Sequence, residues 1–162
     1  MTNNVVTQYL NFLPAQRTEE GAEDLLDQVM DSYGTDRPIF SLVIAEKAKN
    51  RFIGSCGFTP LDDEKNLECY YALLPEYWGR GYATEAVSKL IEYAFEMLGA
   101  SSVSAYTSIK NRRAWGVAQR CGMKDMGPVR YRKLPGKKFS ITRVEYLNCS
   151  FLNGRDDVYF GY

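Results

Sequence analysis

The sequence predicts an α+β domain whose mixed, mostly antiparallel sheet carries helices on both faces. Two β-rich runs, Ile39–Glu46 and Arg51–Phe58, are joined by a polar turn and predict a hairpin. A third strand over Leu67–Leu74 leads through two glycines into a helix, within an overall order ααβββαβαββ. No linker, repeat or low-complexity segment divides the 162 residues. We therefore expect one domain over residues 1–152 and a short tail over residues 153–162.

Two helices are predicted ahead of the hairpin. Val5, Val6, Tyr9 and Leu10 have the spacing of a short first helix. Thr18 can cap a second helix, because a threonine hydroxyl accepts a hydrogen bond from the first turn. The second helix has one apolar face, formed by Ala22, Leu25, Leu26, Val29, Met30 and Tyr33, and one acidic face, formed by Glu19, Glu23, Asp24, Asp27 and Asp31.

A glycine turn precedes the central helix. Apolar residues recur at helical spacing over residues 86–98, and Gly99 marks the helix end. Gly79 and Gly81 lie between this helix and the preceding strand. The arrangement leaves backbone N–H groups unpaired at the positive end of the helix dipole, which suits a phosphate or pyrophosphate. It is neither a Walker loop, which needs Gly-Lys-Ser/Thr, nor the dinucleotide fingerprint, whose third small residue is replaced by Thr84.

Four elements are predicted after the central helix. A strand over Val103–Ser108 is followed by a helix over Arg112–Cys121. Two more strands are expected near Gly127–Leu134 and Phe139–Cys149, where β-branched and aromatic residues are frequent. These elements complete the sheet.

Two motifs resemble signatures of the GNAT superfamily of N-acetyltransferases. The run Trp78-Gly79-Arg80-Gly81-Tyr82-Ala83 is similar to the acyl-coenzyme A loop Gln/Arg-x-x-Gly-x-Gly/Ala, with Trp in the Gln/Arg place. About 30 residues later, the run from Asn111 to Met123 resembles the second signature, an Asn that opens a helix ending near a glycine. The runs Glu68–Tyr71 and Pro75–Ala86 look like the branch that acetylates ribosomal-protein N-termini. The resemblance covers about residues 4–147.

The resemblance implies an acetyl-coenzyme A site. In the family the two central strands splay apart, and pantetheine lies in the wedge between them. Asn111 would hydrogen-bond near the sulfur end; a simple helix N-cap is the alternative interpretation, and both roles can coexist. The implied cofactor-binding residues are Leu73, Leu74, Trp78, Gly79, Arg80, Gly81, Tyr82, Ala83, Thr84, Asn111 and Arg113.

Acetylation of an amine also needs a group that removes a proton, because amines are mostly protonated at neutral pH. Glu68 stands where family members often carry this base, and a surface glutamate is the alternative interpretation. The usual positions of the general acid are Ala118 and Ala114, which cannot donate a proton. Tyr106, Tyr131 or water can substitute, or the thiolate can leave unassisted, so the general acid stays open.

The composition excludes several other functions. The absence of histidine removes His-dependent nucleophiles and ordinary His-ligated zinc or iron, and we expect no metal. The four cysteines are scattered without a Cys-x-x-Cys pair, which favours reduced thiols and a cytoplasmic protein. No apolar run reaches the ~20 residues that span a membrane. The expected partners are therefore acetyl-coenzyme A and an amine acceptor, as the resemblance implies. We expect no binding to a membrane and no direct binding to nucleic acid.

Charge is unevenly distributed although the formal net charge is zero. Residues 1–36 contain seven acidic residues against Arg17 alone, and residues 110–143 contain eleven basic residues against Asp125 alone. Solvated surface is one explanation of this asymmetry. The other is that the basic half receives the anionic cofactor. The acidic second helix lies where the family binds acceptors, which would favour a cationic substrate.

The family usually begins with one further strand and helix beside the hairpin, and this sequence starts too late to supply them. An unpaired strand edge next to apolar residues favours association, so we expect a homodimer or an edge covered by the tail. The expected function is acetyl transfer from acetyl-coenzyme A to a primary amine in a ternary complex. The competing interpretation is a non-catalytic acyl-coenzyme A binding or sensing domain, supported by the two alanines at the acid positions.

Overall fold

The computed structural model describes residues 18–61 and 65–152, together with the separate positions Val6 and Gln16. Its strands are β1 (Phe40–Glu46), β2 (Arg51–Pro60), β3 (Asn66–Leu73), β4 (Ser102–Ser108), β5 (Lys124–Tyr131) and β6 (Leu134–Thr142). Its helices are α1 (Glu19–Ser32), α2 (Tyr82–Glu96), α3 (Arg112–Arg120) and α4 (Arg143–Leu152). The expected tail and, apart from Val6, the expected first helix lie outside the described residues.

The six strands form one mixed sheet in the order β1-β2-β3-β4-β6-β5. Every neighbouring pair is antiparallel except β3 and β4, which run parallel. Pairing between β3 and β4 covers Asn66–Glu68 against Ser102–Ser104 and then stops, although both strands continue. The prediction of splayed central strands is therefore confirmed: a wedge opens beyond Glu68 and Ser104.

Helix α2 forms the centre of the core on one face of the sheet. It buries Val87, Leu90, Ile91, Ala94 and Phe95. These side chains pack against sheet residues that include Phe58, Val103 and Phe139, all with 0% exposure. Burial of one such large apolar side chain contributes about 1.5–3 kcal/mol to the stability of the fold. The buried side of α2 therefore fixes the position of the helix on the sheet and the direction of its N-terminus.

Helix α1 begins as predicted, with Thr18 as its N-cap. The Thr18 hydroxyl accepts a hydrogen bond from the Gly21 amide at 3.1 Å. At the other end, Ser32 Oγ accepts a hydrogen bond from the Ile39 amide at 2.9 Å, which ties α1 to the start of β1. Leu26 and Met30, which belong to the predicted apolar face, are exposed among the described residues.

The prediction of a strand over Phe139–Cys149 is wrong, because β6 ends at Thr142 and α4 begins at Arg143. The cause is a capping box. Glu145 Oε2 accepts from the Thr142 amide at 2.8 Å, and Thr142 Oγ1 accepts from the Glu145 amide at 3.3 Å. This reciprocal pair satisfies two N–H groups that a helix start leaves unpaired. Tyr146 then packs on Phe95 of α2, with ring centroids 5.1 Å apart.

The predicted strand near Gly127–Leu134 is also wrong at its end. The chain reverses at Arg132 and Lys133, so that Tyr131 of β5 pairs with Leu134 of β6. Both turn residues have positive φ, 47° and 67°. A two-residue turn of this kind normally uses Asn-Gly or Asp-Gly, so no sequence signal marked the turn.

Strand β1 forms the outer edge of the sheet. Its outward side has no partner strand among the residues that the structure describes. Val43 is 70% exposed and Leu42 is 45% exposed, so the edge is apolar as well as unpaired. Whether a second copy of the chain or the tail covers this edge stays a prediction.

No helix within the described residues is long and apolar enough to cross a membrane. All four cysteines in this part of the chain are free.

Candidate active site

The glycine turn opens directly onto the N-terminus of α2. Gly79 and Gly81 have φ values of 74° and 87°, a conformation that side chains disfavour. A Cβ added at either glycine would meet no other atom within 4 Å, so the space in front of the turn is open. Gly81 is the N-cap of α2 and no side chain caps the helix. The first N–H groups of a 15-residue helix are thus available for an anion.

Trp78 fixes the turn against the end of β3. Its indole Nε1 donates to the carbonyl oxygen of Leu73 at 2.8 Å. The Leu74 amide donates to Ile53 of β2 at 2.9 Å, and the Leu74 carbonyl accepts from the Tyr77 amide at 3.0 Å. Three main-chain groups of the Leu73–Leu74 pair are therefore bonded within the chain. The Leu74 amide is thus already used, whereas each of the two carbonyl oxygens keeps a second lone pair, and the contribution of this pair to cofactor binding stays a prediction.

Three arginines surround the turn. Arg120 Nε donates to Thr84 Oγ1 in the first turn of α2 at 3.2 Å. Arg113 Cζ lies 5.1 Å from the centre of the Trp78 ring, and Arg80 Cζ lies 5.9 Å from the Tyr77 ring. Cations beside a helix N-terminus add to its attraction for phosphate. Arg120 was absent from the predicted site; its position seven residues after Arg113, two turns along one helix face, could have indicated it.

Asn111 caps α3, as one of the two interpretations expected. Its Oδ1 accepts from the Ala114 amide at 3.2 Å. Tyr71 of β3 donates through its hydroxyl to the Ala114 carbonyl at 3.0 Å, which holds α3 against the wedge. The cap uses only the oxygen of the amide, so the nitrogen of Asn111 can still donate to a ligand.

Glu68 lies at the apex of the wedge and is held by Tyr131. The Tyr131 hydroxyl lies 2.6 Å from Oε1 and 2.7 Å from Oε2 of Glu68. Burial raises the pKa of Glu68, and the hydrogen bond from Tyr131 and the charge of Arg132 lower it to a smaller extent. The net effect is a raised pKa, which suits a carboxylate that must accept a proton near neutral pH.

The neighbours of Glu68 form one polar face of the sheet. Glu68 is paired with Ser104, and Tyr106 lies two residues further along β4, so all three side chains point to the same face. The Tyr106 and Tyr131 rings stack with centroids 4.3 Å apart and planes 13° from parallel. The stack holds the Tyr131 hydroxyl in place at the point where the two central strands separate.

Of the two usual acid positions, Ala118 belongs to the core and Ala114 is half-buried. Ala118 has 0% exposure within the core. Cys121, close to the end of α3, lies with Sγ 3.5 Å from Ser88 Oγ and from the Thr84 carbonyl, and burial raises the pKa of its thiol. Trp115 donates through Nε1 to the Ser108 carbonyl at 3.3 Å, which ties α3 to the end of β4.

Comparisons with known proteins agree with this geometry. A family model described as an acetyltransferase (GNAT) domain matches residues 1–124. An uncharacterized N-acetyltransferase, p20, of Bacillus licheniformis is 31% identical over 149 residues, which cover 87% of this chain and 82% of that protein. A GNAT-family acetyltransferase from Bacillus anthracis has a TM-score of 0.72 at 19% identity, over 88% of this chain and 84% of that one. The spermidine N-acetyltransferase of Vibrio cholerae, solved with CoA and spermine, has a TM-score of 0.75 at 19% identity, over 91% and 88%.

Proposed function

The chain belongs to the GNAT family of acetyl-CoA-dependent acetyltransferases, and we propose that it acetylates a primary amine by direct transfer in a ternary complex, with Glu68 as the base. One observation carries the proposal. A carboxylate with a raised pKa lies at the apex of a wedge whose open side leads to an uncapped helix N-terminus. Cofactor and base are thus positioned by the same pair of strands.

The residues of the glycine turn fit the cofactor. The backbone N–H groups of Gly79–Ala83 bind the pyrophosphate, and the two glycines leave room for its oxygens. Arg120 and Arg113 add positive charge at the same end of α2. Acetyl-CoA supplies a thioester whose carbonyl carbon accepts the amine nitrogen and whose thiolate leaves.

Glu68 takes the proton that the amine must lose. Free α-amines and lysine side chains have pKa values of ~8 and ~10, so most of the acceptor arrives protonated. Tyr131 shares its single hydroxyl proton between the two carboxylate oxygens and holds Glu68 in place. Because the pKa of Glu68 is raised, the rate of acetylation rises with pH across a range above the ordinary carboxyl range.

The acceptor is either the α-amine of a peptide or a small amine. The run Pro75–Ala86 supports the first, through its resemblance to the branch that acetylates ribosomal-protein N-termini. The relative from Vibrio cholerae is named for the second. The alternative function, non-catalytic acyl-CoA binding, is favoured by Ala114 and Ala118 at the positions where proton donors are usual.

Calorimetry and turnover separate these functions. Acetyl-CoA at 100 times its Kd should stabilise the fold by about 2.7 kcal/mol. With a panel of amines and N-terminal peptides, release of free thiol should depend on the acceptor. Glu68→Gln should lower the rate about 100-fold and remove its rise with pH, while the Kd for acetyl-CoA stays close to that of the parent.

Glu96→Gln is the matched control, because it neutralises an exposed carboxylate at the far end of α2. It should leave rate and pH profile unchanged. Tight binding of acetyl-CoA without turnover of any amine would establish the non-catalytic alternative. No binding at millimolar acetyl-CoA would refute the cofactor site itself.

A further inference from the structure

A glycine interrupts the interior of α3. Gly116 is the fifth residue of this nine-residue helix. Glycine at such a position lowers the stability of a helix relative to alanine, because it loses more conformational freedom on folding. Its backbone is helical, and Gly116 is not among the residues with positive φ. The backbone conformation therefore does not require this glycine, and a packing or functional reason is expected.

The guanidinium of Arg120 lies where a side chain at position 116 would be. A Cβ added at Gly116 would lie 3.1 Å from Arg120 Nη1, 3.8 Å from Cζ and 3.9 Å from Nη2. The shortest of these distances is below an ordinary van der Waals contact. Side chains four residues apart on a helix are neighbours, and the side chain of the later residue leans toward the N-terminus. Gly116 thus leaves room for Arg120 to lie back against α3.

The same guanidinium reaches the first turn of α2. Arg120 Nε donates to Thr84 Oγ1 at 3.2 Å, and Thr84 is the third residue of α2. The N-cap Gly81 precedes Thr84 by three residues, or about 4.5 Å along the helix axis. The Sγ of Cys121, next to Arg120 in the chain, lies 3.5 Å from the Thr84 carbonyl oxygen. Two contacts therefore hold the end of α3 beside the uncapped N–H groups of α2.

Most of the hydrogen-bonding capacity of Arg120 is left for a ligand. The bond to Thr84 uses one of the five N–H donors of a guanidinium, and the other four belong to the two Nη atoms. In the part of the chain that the structure describes, no carboxylate forms an ion pair with Arg120. A planar fork of N–H donors that is held in place matches the oxygens of a phosphate group.

We propose that Arg120 binds a phosphate group of the cofactor and that Gly116 and Thr84 position it for this role. Acetyl-CoA offers two sources of the anion, its diphosphate and the 3′-phosphate of its ribose. Arg120 contacts the cofactor, whereas Gly116 acts only through Arg120. The inference rests on the proposed function, because it requires the glycine turn to receive the cofactor. It adds to that site a glycine on a different helix.

Arg120→Gln tests the contact in the full chain. Calorimetry should show a Kd for CoA about tenfold higher than that of the parent, because a charge-assisted hydrogen bond is lost. The same titration with 3′-dephospho-CoA identifies the phosphate. A loss of affinity confined to CoA assigns the 3′-phosphate, and an equal loss for both ligands assigns the diphosphate.

Arg143→Gln is the matched control. Arg143 is exposed at the start of α4, and its amide donates to the Ser101 carbonyl at 3.0 Å, beyond the opposite end of α2. The substitution removes the same charge far from the glycine turn. The Kd values for both ligands should stay within about twofold of those of the parent, since exposed charges at this distance are largely screened by salt.

Gly116→Ala tests the positioning, because it should change stability and affinity in opposite directions. Alanine favours the helix, and the nearest atom to its Cβ belongs to the flexible end of Arg120, so Tm should rise by about 2–4 °C. The displaced guanidinium should raise the Kd for CoA about 3- to 10-fold. In the Arg120→Gln background, Gly116→Ala should still raise Tm and should leave Kd unchanged, because its effect on affinity passes through Arg120.

The outcomes separate the inference from the proposed function. Arg120→Gln binding CoA as tightly as Arg143→Gln would overturn the inference while the cofactor site stands. The same holds if Gly116→Ala leaves Kd unchanged, or raises it equally with and without Arg120. A parent protein that does not bind CoA at millimolar concentration would overturn the proposed cofactor site, and the inference with it.

Discussion

Gly81 provides the sharpest test of the cofactor site, because the same helix offers a matched control. Gly81 and Gly99 lie just outside the two ends of α2 with φ values of 87° and 64°. At neither position would a Cβ meet another atom within 4 Å. An alanine in this conformation costs about 1–2 kcal/mol of strain, offset by about 0.5–1 kcal/mol from its lower freedom in the unfolded chain. Both substitutions should therefore lower stability by about 1 kcal/mol, or Tm by about 2–4 °C.

Only Gly81→Ala should weaken binding of acetyl-CoA. Its Cβ enters the open space that the phosphate oxygens would occupy in the proposed site, and loss of one charge-assisted hydrogen bond costs about 1.5–3 kcal/mol. Calorimetry should then show a Kd raised about 10- to 100-fold, with a larger effect for Gly81→Val. Gly99→Ala should bind like the parent. Equal affinities of the two alanine variants would show that the turn does not hold the phosphates.

Four further predictions follow from other parts of the chain. Tyr131→Phe removes a hydrogen bond that lowers the pKa of Glu68, so the acid limb of the kcat/KM profile should move to higher pH. If the limb does not move, Tyr131 does not influence the group that titrates in that limb. Lys133→Gly relieves left-handed strain at one turn residue and should raise stability by about 0.5–1 kcal/mol in a thermal melt. Hydrogen bonds from Lys124 and from the amide and hydroxyl of residue 142 lower the pKa of Glu145 to about 2, so its contribution to stability is present above the unfolded value of 4.5 and lost as pH falls toward 2. The Tm difference between the parent and Glu145→Gln should accordingly shrink over that window. Deletion of residues 153–162 should change the sedimentation mass or the Tm, because an uncovered strand edge favours association. A change in neither quantity would show that the tail does not affect the β1 edge.

Local sequence signals were sufficient to predict the elements on either side of the glycine turn. Gly79, Gly81 and Gly99 delimit α2 because only glycine accepts positive φ without strain. The α3 cap at Asn111 was expected for a similar local reason. The start of α4 was missed although Thr142-Arg-Val-Glu145 is a readable capping box. The β-branched and aromatic residues near it favour a strand, and the cap outweighs that propensity.

The proposed base and its surroundings depend on contacts between distant parts of the chain. Tyr131 and Glu68 are 63 residues apart and meet only because β5, β6, β4 and β3 are aligned in one register. The strand position and the resemblance could suggest Glu68, but neither could place Tyr131 or Arg132 beside it. The β5–β6 turn added to the difficulty, because Arg-Lys carries none of the composition of a tight turn.

The wedge between β3 and β4 places a limit on how stable this fold can become. Each additional pair formed beyond Glu68 and Ser104 would satisfy main-chain groups and add to the sheet. The same pair would remove the space between the strands and close the route from the base to α2. Selection for stability and selection for turnover therefore act on the same few residues in opposite directions. Substitutions that favour continued pairing over residues 69–73 and 105–108 should raise Tm while they abolish acetylation.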